Sequence, residues 1–380
     1  MLSVWTILLF VFILGLMILV HELGHFLAAK AVGIKVEEFS IGMGPKLWSK
    51  TSKETQFSIR ALPIGGFVRM LGEEDMDIKV KGSFGSKTPW QRFFVVAAGV
   101  VMNFILVAII GYIIGAILGF GYRFPIIGES KPLIGNSEEK PLIVEVSDDS
   151  PAALAGVNVN DILLSVDDQE FGSTEAYIEY IGNKKGLEVK LTLGELVSGA
   201  EREVVLLPRV EPPEGEGPLG VALSGIWIVK YEGAMKAGSG FFHAINTFVY
   251  NVAGFGELIK VSVEEHSIAP LSENVSSPVG VFYYISEAIK IGSPLAILDI
   301  ISIVGISLVF VNLLPIPSLD GGYLLFLIIE GVSGKRLPGK ILQLITQIGM
   351  VLLILLLIVL VFKDLIQFQV LCRLFKLYCN

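Results

Sequence analysis

Uncharged, mostly apolar residues run from 2 to 20, and three further stretches of the same kind follow at 93–122, 300–319 and 341–362. A hydrocarbon core takes roughly 20 helical residues to cross, so the pattern predicts four transmembrane helices. Between the first two stretches the rhythm changes. Residues 33–42, 55–62 and 63–70 alternate polar and apolar side chains, with Gly and Pro as punctuation. That is the signature of β-hairpins. Residues 141–209 read as an α+β module. Its strands are expected at Leu142–Val146, Asp161–Val166, Val189–Leu193 and Val204–Leu207, with a helix opening at Ser150-Pro151 and stopping at Gly156. A Pro/Glu/Gly linker, Glu211–Pro218, ends the module. Phe241, Phe242, Phe248, Tyr250 and Phe255 then predict an amphipathic helix over 238–260.

Composition sharpens this picture. The 380 residues are 53% hydrophobic and only 17% charged, against about a quarter charged in soluble domains. No Lys or Arg precedes the first stretch and no small-residue cleavage site follows it, so it is expected to remain a membrane helix. Residues 26–92 carry eleven basic and seven acidic side chains, whereas 123–294 carry twelve and twenty-five. The excess of basic residues places the 26–92 loop inside and the acidic region outside, with both termini outside. A net charge of −8 argues against nucleic acid as a partner. Cys372 and Cys379 both fall in the tail and are read as ordinary thiols.

The candidate chemistry lies where the first apolar run meets its first ionisable groups. Val20 is followed by His21-Glu22-Leu23-Gly24-His25. Residues four apart share a helix face, so His21 and His25 can hold one metal ion with Glu22 beside it. Hydrolytic zinc takes three protein ligands and keeps one position for water. At 1.5 Å per residue, His21 lies roughly 27 Å along a helix entering near Ser3, close to its inner end. The third ligand should be an acid or a histidine from another span. Asp320 stands out, because Asn312–Gly322 brings it to the inner end of the third span through two prolines and two glycines. A capping Asp in a Pro-Gly turn is the plainer reading of that segment. Asp299 is placed near the outer face and fits less well. His243 and His266 read as surface or interfacial histidines.

These residues resemble the site-two protease family of intramembrane zinc metalloproteases, of the bacterial regulator of sigma-E protease type. The likeness rests on Val20–Phe26, on Asn312–Gly322, on Pro63–Val68, and on Ala98-Gly99 with Asn103-Phe104. It implies zinc on His21, His25 and Asp320, Glu22 as general base, and Asn312 positioning the substrate or its oxyanion. It also implies that the 33–70 hairpins hold substrate extended, and that the substrate is a single-span protein such as an anti-sigma factor. Residues 150–163 resemble a bacterial protease PDZ domain, which would accept an extended peptide end. Family members of this type carry two such domains in tandem, and one fits here.

The expected fold is an α-helical membrane protein with about four transmembrane helices, membrane-associated β-hairpins and an inserted extracytoplasmic PDZ-like α+β domain. Its segments are helix 1 with the zinc motif (1–32), the cytoplasmic-side hairpins (33–92), helix 2 (93–122), the PDZ-like domain (127–210), and linker with interfacial helices (211–293). Helix 3 with the third ligand (294–322), helix 4 (340–363) and a tail (364–380) complete it. The expected function is an endopeptidase of the bacterial inner membrane, embedded in the lipid bilayer, using Glu22 and a zinc-activated water near the cytoplasmic face. The alternative is a membrane-anchored PDZ adaptor with a non-catalytic metal site.

Overall fold

The computed structural model describes residues 4–73, 80–128, 130–195, 200–336 and 338–368; Cys372 and Cys379 lie outside them. Helix α1 (Val4–Ala31) leads into strands β1 (Val36–Ser52) and β2 (Thr55–Met70), then helix α2 (Pro89–Ile117). Strands β3 (Gly121–Pro125) and β4 (Asn136–Val146), helix α3 (Pro151–Leu154), strand β5 (Asp161–Val166) and helix α4 (Thr174–Asn183) follow. Strands β6 (Val189–Glu195), β7 (Glu201–Leu206) and β8 (Val221–Lys230) come next. The chain closes with α5 (Met235–Glu264), α6 (Ala269–Asn274), α7 (Pro278–Ile291), α8 (Pro294–Leu313), α9 (Asp320–Ser333) and α10 (Gly339–Gln367).

Helices α1, α2, α8 and α10 are the four long and apolar enough to cross a membrane among the described residues. Their ends differ from the apolar runs for local reasons. Helix α1 continues through the histidines to Ala31, because Glu, Leu, Ala and Lys keep good helix propensity past the apolar run. It stops at Gly33, whose φ of 71° no other residue type adopts as readily. The bonds Ile34 N–H to Ala29 O (2.8 Å) and Gly33 N–H to Lys30 O (3.1 Å) close it as a Schellman motif. Helix α2 ends at Ile117, and Tyr122, expected in the span, lies in β3 instead. The third span is also shorter than expected. Pro315 and Pro317 lack the N–H that a continued helix needs, so α8 ends at Leu313 and Asp320 opens a separate helix.

The chain forms two compact units. The first takes Met1–Ile109, Leu258–Gly292 and Asp299–Asn380; the second takes Ile110–Glu257 and Ser293–Leu298. In the first unit, Glu38 to Ile41 of β1 pair on both edges, with Gln56–Ile59 on one side and Gly66–Arg69 on the other. Strand β2 therefore doubles back around β1 and makes three rungs from two strands. Glu38 is fully buried. It accepts from Ser58 Oγ at 2.7 Å, Arg60 at 2.9 Å and Arg69 at 2.6 Å, with Lys46 at 3.1 Å. One core joins this sheet to the helices: Ala28 and Ala29 of α1, Val36 and Phe39 of β1, Val68 and Met70 of β2, Val95 and Val96 of α2, Leu324 and Leu327 of α9, and Leu342 of α10.

The second unit is a six-stranded antiparallel sheet in the order β3-β8-β4-β5-β6-β7. The α+β reading of 141–209 accounts for its middle, while β3 and β8 join from outside that range. Its core holds Ile143, Leu163, Val166, Tyr177, Val189, Leu191 and Leu193. Ser150 and Ser173 accept from the third residue on and so start α3 and α4. The buried positions of α5 are Ser239, Gly240, His243, Ala244, Asn246, Thr247 and Tyr250. That face is mostly small and polar, and of the five predicted aromatics only Tyr250 is buried on it. Asn246 Oδ1 accepts from the Leu133 and Ile134 N–H groups, and its amide donates to Ile134 O and to the Tyr231 hydroxyl. His243, expected at a surface, is buried here. Its ring stacks on Tyr122 at 4.4 Å, and Gly111 leaves room for it. His266 is exposed, as expected.

Candidate metal centre

Helix α1 is unbroken through 21–25, so its pitch sets His21 and His25 one turn apart on one face. Their Nε2 atoms lie 3.1 Å apart. Asp320 Oδ2 comes 3.1 Å from His21 Nε2 and 3.5 Å from His25 Nε2. The three side chains are only 12–22% exposed. Among the described residues they form the group of His, Cys, Asp and Glu that could hold an ion.

The spacing suits zinc. Tetrahedral bonds of about 2.0–2.1 Å put ligand atoms about 3.3 Å apart. The donor chemistry suits it as well. His25 Nδ1 donates to Val95 O at 2.9 Å, which leaves Nε2 as the lone-pair nitrogen aimed at the cluster. Asp320 Oδ2 is buried without a well-formed hydrogen bond. Two imidazole nitrogens and a carboxylate oxygen converging in a buried place would be costly without a cation.

Close backbone approach makes this convergence possible. A Cβ on Gly99 would lie 2.5 Å from His25 Nε2 and 2.8 Å from His21 Cε1. One on Gly24 would meet Ala98 O at 2.3 Å, so α1 and α2 touch here with nothing between them. Gly321 and Gly322 pack equally tightly on the carbonyls of Leu313, Leu314 and Ile316, which turns the chain so that Asp320 faces back. Ser318 holds the turn with a positive φ of 85° and a hydrogen bond from its hydroxyl to Thr346 O. Glu22 lies beside the hairpin. The Val68 backbone faces its carboxylate, and a Cβ on Gly66 would come 3.3 Å from its Cγ.

The structure thus brings His21, His25 and Asp320 together, with Glu22 adjacent in the chain. Asn312 is half-buried in the last turn of α8, eight residues before Asp320. Asp299 is exposed near the start of α8. Two contributors escaped the sequence reading. Val95 O is a main-chain group and leaves no residue signature. Arg92 and Glu330 form a 2.5 Å ion pair within this unit; an ionisable residue at the border of an apolar run, Arg92 before Phe93 and Glu330 after Ile329, was the available signal.

A His-x-x-x-His pair on a helix apolar enough to cross a membrane, meeting an acid from a distant segment, is the donor set of a membrane metalloenzyme. Comparison with known proteins is in accord. The family model for peptidase family M50 matches residues 9–356. A provisionally named zinc metalloprotease of Clostridium acetobutylicum is 32% identical over 367 residues, covering 96% of this chain and 98% of that one. The regulator of sigma-W protease RasP of Bacillus subtilis is 26% identical over 439 residues, covering 94% and 98%. Among solved structures, a PDZ domain of an SdrC-like protein from Listeria monocytogenes aligns at 25% identity and a TM-score of 0.20, over 22% of this chain and 85% of that one. The chain belongs to peptidase family M50, the site-two proteases. By that membership it is an integral membrane zinc metalloprotease, and the reading as an adaptor with an idle metal site falls away.

Proposed function

We propose that this protease cuts within the transmembrane segments of single-span membrane proteins, with His21, His25 and Asp320 as the zinc ligands and Glu22 as general base. The observation that carries the reading is the convergence of three ligand atoms, at 3.1–3.5 Å, from helices of a membrane protein. Bound there, zinc supplies Lewis acidity that polarises a carbonyl and makes water a nucleophile near neutral pH. Glu22 is the group that would hold the proton between the attacking water and the leaving amine. The Val68 backbone and the packing against Gly66 hold the carboxylate for this task. Asn312 orients the scissile carbonyl.

The substrate must unwind locally, since a transmembrane helix keeps its carbonyls in hydrogen bonds. The three-rung sheet beside Glu22 receives the unwound stretch as an added strand. Ile41, Met43, Leu47, Trp48, Ile59 and Leu62 are all exposed on that sheet. Such an apolar surface suits membrane association. The six-stranded unit is the PDZ-like domain, outside the membrane, and takes an extended peptide. The site lies near the cytoplasmic face of a bacterial inner membrane, in keeping with Lys30 one turn past His25 and the basic 26–92 loop. A relative named for regulating sigma-W supports an anti-sigma factor as substrate. The test is Glu22→Gln with a transmembrane substrate in detergent. Cleavage should drop by about 10²–10⁴-fold with zinc retained; unchanged cleavage ends the proposal.

A further inference from the structure

Arg92 is the largest of the fully buried side chains, at 1% exposure. It sits on α2 three residues before Val95, whose carbonyl orients His25. A buried guanidinium has to be paired, and its terminal nitrogen donates to Glu330 Oε1 at 2.5 Å. It also interacts with the Tyr323 hydroxyl. Glu330 and Tyr323 both belong to α9, whose first residue is Asp320. Helix α2 therefore touches both halves of the metal centre. Through Val95 O and the gap at Gly99 it holds the histidines of α1, and through Arg92 it holds the helix that bears the carboxylate.

Leu324 and Leu327 share one apolar core with Val95 and Val96, which holds α9 near α2 but does not fix where along it. Apolar burial is non-directional, so helices packed this way can slide. A hydrogen bond is directional: Arg92 must bring one terminal nitrogen to Glu330 Oε1, which constrains the two helices where apolar packing does not. As a source of stability Arg92 is poorly used, because its Nε and second terminal nitrogen have no hydrogen-bond partner. A buried ion pair is often no better for stability than an apolar pair of the same volume.

We infer that Arg92 is a positioning residue for the metal centre: its pairing with Glu330 sets the register of α9 along α2 and so brings Asp320 to within reach of His21 and His25. This rests on the assignment of those three residues as the zinc ligands.

The test is zinc affinity of the full-length protein in detergent, by competition with a chromophoric chelator, together with thermal unfolding and the visible spectrum of the cobalt-substituted protein. The parent should bind zinc and His21→Ala should not. Arg92→Met with Glu330→Met should unfold at the parent's temperature or above, yet bind zinc about 10–100-fold more weakly and show displaced cobalt bands. Should that pair unfold early, Arg92→Lys carries the question: it keeps the charge but not the planar fork, and should shift affinity and spectrum in the same direction by less. A folded variant of either kind with the parent's affinity and cobalt spectrum overturns the positioning role. Zinc binding absent from the parent, or retained in His21→Ala, overturns the metal-centre assignment itself, which is a separate failure.

Discussion

Position 99 shows how little room the centre leaves. Alanine there would put a methyl group 2.5 Å from His25 Nε2 and 2.7 Å from its Cε1. Alanine is the better helix former by about 1 kcal/mol, so Gly99→Ala should keep its helical circular dichroism. Its zinc content and cleavage should nevertheless fall about tenfold or more, as for other disturbances around a metal ligand; full zinc occupancy would refute the cradle. Asp320→Ala removes one of the three proposed ligands and should leave the purified protein largely without zinc by metal analysis, with normal occupancy dismissing it as a ligand. The histidine pair was legible because the helical period is fixed by the chain and four residues make one turn. Asp320 was legible as the favoured of two acids, because the predicted orientation leaves Asp299 near the outer face. How it meets the histidines is tertiary: the prolines end α8 early, and the glycines let the next helix start facing them.

At the scale of elements, the hairpin depends on Glu38. Burial alone would raise its carboxyl, but hydrogen bonds from Ser58, Arg60 and Lys46 more than offset this and hold it at about 2. The folded value lies below the ordinary 4.5, so the stabilisation is complete above that pH. It is lost as pH falls from 4.5 towards 2. Glu38→Ala should cost about 1.5–3 kcal/mol, because buried Ser58 and part-buried Arg60 lose a charged hydrogen-bond acceptor, while Arg69 stays solvated and keeps Glu37. Denaturant titration at neutral pH measures this, and a loss under about 1 kcal/mol would show the pairing to be ornamental. Helix α5 carries the second pH response. Burial holds His243 down to about 4, and its Nδ1 has no hydrogen-bond partner. An unfolded chain binds that proton near 6.5, so stability should decline as pH drops from 6.5 towards 4. His243→Phe should flatten that decline in melting temperature between pH 7 and 5; an equal decline in both proteins would contradict the assignment. The existence of α5 was legible from its aromatics. Its inward face was not, because Asn246 and His243 look like surface residues until their partners in β3 and the 130–134 segment are known.

For the molecule as a whole, the charge asymmetry makes an orientation test. With Cys372 and Cys379 replaced, a cysteine at Asp148 should react with a membrane-impermeant maleimide on intact cells, and one at Lys53 should not. The reverse pattern would turn the proposed topology over. Mass spectrometry of products should place cuts inside the apolar segment of the substrate, near helix-weakening residues, each Gly lowering the cost of unwinding by up to about 1 kcal/mol; cuts confined to soluble domains would defeat the intramembrane reading. The sequence by itself determined the four membrane helices, the strand-rich segments and the His-Glu-x-x-His pair, because each follows from a short repeating pattern of side chains along one stretch of backbone. Only the tertiary structure decided that β2 wraps both edges of β1, that β3 and β8 complete the second sheet, and that Arg92 ties α2 to α9. Those outcomes join residues tens to hundreds of positions apart, where the chain's own periodicity carries no information and packing, pairing and steric room choose the partner.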